Sequence, residues 1–425
     1  MSTGSTLKSG RARAMGDRVQ ALCERNRQAG HAAWCGLDYD FVSPSGGTYP
    51  FQWFWDSGFH AITLSHLDPA RAVAELRSLL ANQQPDGFVA HVTFWQRERY
   101  QALLATYSIA YRTPYLSDCI QPPVLGESLE QVVRRGGGEQ ALHELLPKTR
   151  RFFDWLDRVR DPDRDGLVAT LQPDESGLDH TPKYQEYLGV TRVLDAEFTA
   201  AWERVAAAWR AVGRDPARMF ARAAFVVEDV LVNTIYALGE QALARLCAEA
   251  GDAAGAAEFV TRAERTRRAL VEKCYDRQAG LFFDLAGHQE QMLRVNTVSS
   301  LMPLALPELP AEIAARLIAH LEDPEEYAAP YPVPSVAMNE PSYTPGVCGE
   351  RMVWRGPTWM NTNWYLWRGL RAHGRPDLAE RLVDRSASLV EGQGFREYYN
   401  PSSGEGHGAH DFSWTGIVLD MLAQD

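Results

Sequence analysis

The sequence predicts an all-α protein whose helical hairpins close into a ring, with long loops gathered at one end. Helical periodicity recurs along most of the 425 residues, and alternating strand patterns are scarce. Short connections alternate with long ones, as expected when helical hairpins stack side by side. Aromatic and acidic residues collect in the long connections, and loops on a rigid scaffold commonly carry binding and catalytic side chains.

Apolar residues recur at i, i+3, i+4 and i+7 in each predicted helix. Asp68-Pro69 and Asp377 are helix start signals, and Gly251 separates two long helices. The predicted helices span 14–31, 69–83, 126–135, 139–160, 192–211, 219–250, 252–275, 310–322, 359–373, 376–391 and 413–424.

The remaining segments are predicted as strands, a tail and a loop. Segments 47–55 and 280–285 alternate like strands. The polar, basic segment 1–15 is predicted to be a flexible tail. No linker of the kind that divides domains follows it, so 16–425 is predicted to form one domain. The Pro-rich segment 328–343 is predicted to be a long functional loop.

Composition and charge exclude several classes of protein. Apolar residues make up 45% and charged residues 23% of the chain, which is typical of a globular protein. A net charge of −12 without a basic stripe argues against nucleic-acid binding. The apolar stretch 223–238 is broken by Glu228 and Asp229 and is too short to span a bilayer. Six cysteines without a CxxC pair indicate reduced thiols in a cytoplasmic protein.

Tryptophan is the unusual component, with twelve residues in the chain. In the segment from Tyr49 to Asp56, five aromatic side chains precede one acid. Aromatic faces stack on sugar rings while a carboxylate accepts hydrogen bonds from sugar hydroxyls. The alternative is a half-buried strand whose Asp56 caps the next helix. Seven tryptophans fall in three such segments, namely Trp53, Trp55, Trp354, Trp359, Trp364, Trp367 and Trp414.

Two further segments could supply an acid and a base. Asp174, Glu175 and Asp179 lie within six residues, and such crowding raises the pKa of one carboxyl group, as a general acid requires. The alternative is an acidic surface turn. Glu397 follows Arg396, which could keep it ionised as a general base; a surface salt bridge is the alternative.

Motifs for metals and cofactors are weak. The segment from Asp161 to Gly166 resembles the start of a calcium loop. Its twelfth position is Gln172 rather than Glu, so we interpret it as a turn and keep calcium as the alternative. The chain has no HxxxH zinc pair, P-loop, GxGxxG motif or GxSxG elbow.

Four motifs occur in the order seen in glycoside hydrolase family 63: the segment from Tyr49 to His60, ESGLD at 175–179, RGPTWMNTNW at 355–364, and EYYNP with FSWTG in 397–416. The chain resembles in particular the small bacterial members that hydrolyse mannosylglycerate or glucosylglycerate. The resemblance covers nearly the whole chain beyond about residue 15. It implies an (α/α)6 barrel, in agreement with the helix count. It also implies hydrolysis of an α-glycosidic bond with inversion, without a metal or an organic cofactor.

The resemblance implies that Asp179 is the general acid and Glu397 the general base. This chain has Val353 before Trp354, where the glycerate-releasing members have Tyr, so the leaving group stays open. Arg355 and Lys183 are the expected cations for a glycerate carboxylate. The positions implied to bind the substrate are Tyr49, Trp53, Phe54, Trp55, Asp56, Gln121, Gly177, Trp354 and Trp359.

Other functions remain alternatives. An α-glucosidase or trehalase-like hydrolase would use the same pair of acids, and a non-catalytic carbohydrate-binding protein would need only the aromatic pocket. Terpene cyclases need a motif such as DDxxD, which is absent, and barrel epimerases generally depend on paired histidines. We expect a small sugar as the partner, no nucleic acid and no membrane, and formation of a homo-oligomer stays open.

Overall fold

A computed structural model describes residues 9–104, 111–190, 195–346 and 354–423. The helices of these ranges are α1 (Gly10–Arg25), α2 (Phe54–Leu64), α3 (Pro69–Ala81), α4 (Gln101–Leu104), α5 (Leu125–Val132), α6 (Gly138–Arg160), α7 (Gln185–Leu188), α8 (Asp195–Ala211), α9 (Pro216–Arg222), α10 (Val230–Glu249), α11 (Ala253–Ala269), α12 (Ala311–Glu322), α13 (Met360–Ala372), α14 (Pro376–Gln393) and α15 (Val418–Ala423). The short π-helical segment Leu270–Cys274 extends α11, whereas Val133–Gly137 joins α5 to α6 through a kink at Arg135 and Gly136.

Small antiparallel sheets lie between the helices. One has four strands in the order β3-β4-β6-β5, one has three in the order β11-β10-β7, and three are two-stranded. The strands are β1 (Arg27–Ala32), β2 (Leu37–Val42), β3 (Gln52–Trp53), β4 (Val92–Thr93), β5 (Tyr111–Thr113), β6 (Leu116–Ser117), β7 (Val227–Glu228), β8 (Tyr275–Asp276), β9 (Leu281–Phe282), β10 (Asp284–Ala286), β11 (Gln291–Leu293), β12 (Arg396–Tyr399) and β13 (Gly406–His410).

Six inner segments form a closed ring. Each segment contacts the next one along the chain, and the last contacts the first. Nearly all of their residues are buried, as expected for helices enclosed on every side. In chain order they are α2, α5, α10, the 3-10 segment Val298–Ala305, α13, and the 3-10 segment Ser413–Ile417 with α15.

An outer helix packs against each inner segment. The pairs are α2 with α3, α5 with α6, α10 with α11, Val298–Ala305 with α12, α13 with α14, and α15 with α1. Outer helices bury one face only, as Ile313, Ala314, Leu317 and Ile318 of α12 show. Six inner and six outer segments in alternation make an (α/α)6 barrel, so the predicted fold class is confirmed.

Several predicted helix boundaries are also confirmed. The Asp68 carboxylate accepts hydrogen bonds from the backbone N–H groups of Ala70 and Arg71, and Pro69 opens α3. Gly251, with a φ of +78°, ends α10 before α11 begins. The predicted strand at 280–285 corresponds to β9 and the start of β10.

Two predictions near the N-terminus are wrong. The segment 1–15 was expected to be a flexible tail, but α1 begins at Gly10 and buries Ala12 and Met15. The apolar face of α1 packs on the ring, so its first turns are ordered by tertiary contacts; residues 1–8 lie outside the described ranges. The predicted helix 14–31 ends at Arg25, because residues 27–32 instead pair with β2.

Two other boundaries are corrected. In the segment 47–55 only residues 52–53 are a strand, and α2 begins at Phe54, whose N–H donates to the His91 carbonyl. The predicted helix 219–250 is interrupted at Ala223, where φ is +51°, and continues through β7 before α10. Helical periodicity cannot report such breaks when apolar residues continue through them. In the predicted helix 192–211, residues 192–194 lie outside the described ranges.

The starts of three inner segments meet at one end of the barrel. Trp55 in the first turn of α2 lies 5.1 Å, between ring centroids, from Trp414 at the start of the last inner segment. Trp414 lies 5.6 Å from Trp359, which immediately precedes α13. The long loops that precede the inner segments therefore collect around these tryptophans. In the described part of the chain, no helix combines the length and apolar character needed to cross a membrane.

A buried ion pair fixes the loop that follows α6. Arg160 donates two hydrogen bonds to Glu175, at 2.6 Å and 2.7 Å, and neither side chain has exposed surface. The same carboxylate accepts the backbone N–H groups of Ile120 and Leu171, at 3.0 Å and 2.7 Å. One carboxylate thus holds three segments of the chain together at the site end of the barrel.

The variant Glu175→Gln should lower the free energy of unfolding by about 3–5 kcal/mol, because it leaves the Arg160 charge buried without its counter-ion. Urea unfolding followed by circular dichroism measures this change. Glu203→Gln, which removes the partner of Arg210 in a largely exposed pair, is the matched control and should change it by about 1 kcal/mol or less. Equal effects of the two variants would contradict the anchoring role.

Candidate active site

The loop after Glu175 packs directly on a tryptophan. Residues Pro173–Ser176 form a 3-10 turn that ends at Gly177, where φ is +71°. A Cβ atom at Gly177 would lie 2.7 Å from the Trp55 ring. Both the left-handed backbone and the close approach require glycine here. The loop therefore presents Asp179, two residues later, next to the aromatic side chains at the barrel end.

Asp179 is accessible to solvent, as expected on the wall of an open cleft, while the protein atoms around its carboxyl group still desolvate it. Burial raises its pKa well above the usual range, and the charges of Asp174, Glu397 and Asp56 raise it further. The contact of Gly177 with Trp55 and the hydrogen bond from Tyr49 to Glu397 place Asp179 and Glu397 against the segment that carries Asp56.

Glu397 lies on the hairpin formed by β12 and β13. Its Oε2 accepts the Ala409 N–H at 2.8 Å, and its Oε1 accepts the Tyr49 hydroxyl at 3.2 Å. A Cβ atom at Gly408 would lie 2.5 Å from Oε2, so glycine leaves room for the carboxylate. Burial raises the pKa of Glu397, while the two hydrogen bonds act in the opposite direction.

The expected ion pair between Arg396 and Glu397 is wrong. The register of β12 shifts between Arg396 and Tyr398, so regular strand alternation does not set the directions of these two side chains. The Arg396 guanidinium donates instead to His410 Nε2 at 2.6 Å and to the Gln393 carbonyl at 3.2 Å. Hydrogen bonds from Tyr49 and Ala409, rather than a cation, favour the ionised form of Glu397.

Asp56 lies in the first turn of α2 and is 4% exposed. Burial raises its pKa well above the usual range, and the charges of Glu397 and Glu75 add to the effect. The Tyr49–Asp56 segment contacts Glu397 through Tyr49 and Gly177 through Trp55, so Asp56, Asp179 and Glu397 come from different parts of the chain to one end of the barrel.

Four indole rings form a continuous aromatic wall, made of Trp55, Trp354, Trp359 and Trp414. Trp354 and Trp359 stack at 3.9 Å with an interplanar angle of 5°. Trp55 lies 6.4 Å from Trp354 and 5.1 Å from Trp414. The centroids of the Tyr49 and Trp53 rings lie 6.1 Å apart, and the two rings meet edge-on. The structure thus brings Tyr49, Trp53, Trp55, Trp354 and Trp359 together as predicted from the sequence.

Two predicted substrate-binding residues have different surroundings. The Phe54 ring is buried and lies 5.1 Å from Phe152, in the hydrophobic core behind the site. The Gln121 Oε1 atom accepts the backbone N–H of Trp55 at 3.1 Å, so this side chain caps the start of α2. Phe54 packs within the barrel, whereas Gln121 orients the turn that carries Trp55 and Asp56.

Trp414 belongs to the aromatic wall but is not among the predicted substrate-binding residues. Its FSWTG motif is visible in the sequence, whereas its contacts with the other indole rings depend on the tertiary structure. The Trp414 ring contacts Trp55 and Trp359. The Phe412 ring packs between the Tyr49 and Trp414 rings. The buried Nε1 atoms of Trp359 and Trp414 have no hydrogen-bond partner among the described residues. They are donors that the hydroxyl groups of a bound sugar can satisfy.

The two cations expected near the site are both buried. The Lys183 ammonium group pairs with Asp229 and, at 3.0 Å, with Asp284, so its charge is already neutralised. The expectation that Lys183 is available for a substrate anion is therefore wrong. The Arg355 guanidinium lies 5.0 Å above the Phe198 ring. Val353 lies outside the described residues.

The sequence matches the family described as "Mannosylglycerate hydrolase MGH1-like glycoside hydrolase domain" over residues 49–415. It is 31% identical to a mannosylglycerate hydrolase of Thermus thermophilus over 89% of this chain and 95% of that protein. It is 28% identical to a glucosylglycerate hydrolase of Mycolicibacterium hassiacum over 88% of this chain and 92% of that protein.

A solved structure shows the same fold. The family 63 mannosylglycerate hydrolase from Thermus thermophilus in complex with glucose superposes with a TM-score of 0.82 at 28% identity. The superposition covers 96% of this chain and 99% of that one. The family match includes every predicted site residue. This protein therefore belongs to the mannosylglycerate hydrolase-like glycoside hydrolases of family 63 and is a glycosidase.

Proposed function

We propose that this chain hydrolyses the α-glycosidic bond of a small glycoside of glycerate, glucosylglycerate or mannosylglycerate, with inversion at the anomeric carbon. The observation that carries the proposal is the position of two acids beside the aromatic wall: Glu397 accepts the Tyr49 hydroxyl at 3.2 Å, and the turn that precedes Asp179 contacts Trp55 at Gly177. The named activities of the relatives in Thermus thermophilus and Mycolicibacterium hassiacum support the choice of substrates.

The surroundings of the two acids assign their roles. Burial and three neighbouring carboxylates all favour the protonated form of Asp179. Glu397 accepts two hydrogen bonds, which favour its ionised form. A pair of carboxyl groups whose surroundings differ in this way divides into an acid and a base. Asp179 is the proton donor in this assignment, and Glu397 is the proton acceptor.

In the reaction, the Asp179 carboxyl group gives its proton to the glycosidic oxygen as the bond to the anomeric carbon breaks. The Glu397 carboxylate takes a proton from a water molecule, whose oxygen bonds to that carbon from the opposite face. An inverting pair needs carboxyl groups roughly 6.5–9.5 Å apart to admit this water. Proton exchange with solvent then restores both groups.

The remaining site residues hold the sugar. Asp56 accepts hydrogen bonds from sugar hydroxyls, and the indole N–H groups of Trp359 and Trp414 donate to them. The aromatic wall stacks on the C–H face of the ring and excludes bulk water, which strengthens the electrostatic interactions of the nearby charges. Gln121 and Gly177 act on the sugar through the position of Trp55.

We also propose the extent of the domain, the location of the protein in the cell and the nature of its partner. One catalytic domain includes α1, because this helix packs against α15 and completes the sixth pair of the barrel. The pattern of cysteines in the sequence supports a cytoplasmic location. The proposed partner is a small sugar. A measurement of the molecular mass in solution tests whether the chain forms a homo-oligomer.

A substrate screen tests the reaction. We expect release of free sugar from glucosylglycerate or mannosylglycerate, with little from trehalose or short α-glucosides. Proton NMR at early times should show the β-anomer first, because inversion at an α-linkage yields the β-configuration. Initial appearance of the α-anomer would indicate a retaining enzyme and contradict the proposed roles. Preference for trehalose would contradict the substrate class.

Substitution of the two acids tests their assignment. Asp179→Asn and Glu397→Gln should each reduce kcat by a factor on the order of 10²–10⁴, because each removes one proton-transfer group. Glu405→Gln, an exposed change in the same hairpin as Glu397, is the matched control and should retain activity. Unchanged circular dichroism separates loss of chemistry from loss of fold. Near-normal turnover by either acid variant would show that its role is misassigned.

The pH profile tests the coupling. Burial raises the pKa of Asp174 to about 6, and its charge in turn raises the pKa of Asp179. Asp174→Asn removes that charge, so Asp179 should lose its proton at lower pH. The alkaline limb of kcat/KM should therefore move to lower pH, while Asp17→Asn, an exposed change in α1, leaves it in place. An unmoved alkaline limb in Asp174→Asn would contradict the assignment of that limb to Asp179.

A further inference from the structure

Helix α8 lies against the loop that carries Asp179. Phe198 and Trp202 are one helical turn apart, so both side chains lie on one face of this helix. His180 directly follows Asp179, and its ring stacks on the Trp202 ring at 5.0 Å with an interplanar angle of 15°. The His180 ring also meets the Phe198 ring edge-on at 5.4 Å. The residue after the proposed proton donor is thus held in a corner between two aromatic side chains of α8.

Trp202 also contacts the loop on the other side of Asp179. Its Nε1 atom donates a hydrogen bond to Asp174 Oδ1 at 2.7 Å. Asp174 precedes Asp179 in the chain, and His180 follows it. One indole therefore contacts both sides of the segment that presents the acid. An indole is large and rigid, so its two contacts constrain the direction of this segment as well as its distance from α8.

The backbone at His180 needs such contacts. Its φ is +57°, in the left-handed region, which is unfavourable for a residue that carries a Cβ atom. Asp179 is exposed to solvent, so close packing does not fix its own side chain. The direction of the Asp179 carboxyl group therefore depends on the backbone of its neighbours. Loss of the ring stack would let His180 relax to a negative φ and would redirect the preceding acid.

Helix α8 is anchored independently of the acid. The Trp209 Nε1 atom donates to the Leu171 carbonyl at 3.0 Å, and Arg204 Nη2 donates to the Leu188 carbonyl at 2.7 Å. Leu171 also donates its backbone N–H group to Glu175. The helix is therefore tied to the buried ion pair that holds the acid-bearing turn, and it provides a fixed support for the contacts of Trp202.

The same helix face reaches the aromatic wall. Phe198 has no exposed surface, and the Arg355 guanidinium lies 5.0 Å from its ring centroid. Arg355 directly follows Trp354, whose ring stacks on Trp359. One face of α8 thus contacts the residue after the acid and the residue after a tryptophan of the wall. The position of the acid relative to the sugar-binding surface is set in part through this helix.

We propose that Trp202 is a positioning residue that directs the Asp179 carboxyl group towards the glycosidic oxygen of the bound substrate. This role rests on the proposed function, because it takes Asp179 as the proton donor. Trp202 acts through Asp174 and His180 rather than by contact with the substrate. Its loss slows the step in which the leaving oxygen takes up a proton, and it leaves the water activation by Glu397 in place.

Two substrates that differ in the leaving group test this role. A glycerate oxygen needs a proton to leave, whereas fluoride leaves a glycosyl fluoride as the ion, with the bonding electron pair and without a proton from the acid. The full chain is assayed with the glycerate glycoside and with the α-glycosyl fluoride of the same sugar, at the pH optimum of each variant. The reference variant Asp179→Asn should lose the first activity and keep most of the second.

Trp202→Phe keeps an aromatic ring for the stack and removes the hydrogen bond to Asp174, whereas Trp202→Ala removes both contacts. On the glycerate glycoside, kcat should fall on the order of tenfold for Trp202→Phe and roughly a hundredfold for Trp202→Ala, because small displacements of a catalytic group are costly. On the fluoride, kcat should stay nearly unchanged. The matched control Trp155→Phe removes an indole donor to Asp86 at 3.3 Å and should affect neither substrate.

The contrary results are distinct. Equal losses on the two substrates in Trp202→Phe, or kinetics that match those of Trp155→Phe, would overturn the positioning role, and Trp202→Phe decides the matter if Trp202→Ala does not fold. If Asp179→Asn loses only the glycoside activity while Trp202→Phe keeps it, the proposed function stands and the role of Trp202 falls. If Asp179→Asn loses both activities equally, the proton donor is misassigned and both proposals fall.

Discussion

The buried pair of Arg160 and Glu175 determines where the acid-bearing loop lies. Burying two charges is costly, and the structure compensates through two mutual hydrogen bonds and two backbone N–H groups donated to Glu175. Because Glu175 belongs to the same short turn as Gly177, the pair also fixes the contact of that turn with Trp55. The position of Asp179 beside the sugar pocket follows from this local constraint.

The chemistry of the site arises from unequal surroundings of similar groups. Asp56, Asp179 and Glu397 are all carboxylic acids with raised pKa values, and burial is the main cause in each. Glu397 differs because Tyr49 and Ala409 donate hydrogen bonds to it. In the proposed roles, this difference separates the proton acceptor Glu397 from the proton donor Asp179. The aromatic wall keeps the surroundings of low polarity, so that small geometric differences have large electrostatic effects.

The barrel makes these contacts possible because its inner segments begin at the same end. Trp55, Trp359 and Trp414 belong to the starts of three different inner segments and still pack on one another. The acidic loop after α6 directly follows Arg160 in the chain. The ion pair between Arg160 and Glu175 therefore holds both this loop and the turn that precedes Asp179.

The sequence alone determined the class of fold, the two catalytic candidates and most of the aromatic pocket, because helical periodicity and the order of local motifs are properties of neighbouring residues. Asp179 and the Trp354–Trp359 pair were predicted in this way. The tertiary structure alone decided which groups meet, and so it moved Phe54 into the core, paired Lys183 with Asp229 and Asp284, and added Trp414 to the wall. It also turned Arg396 away from Glu397 and brought Glu228 next to Asp165. Such contacts depend on strand faces and on packing between segments far apart in the chain, which no local pattern encodes.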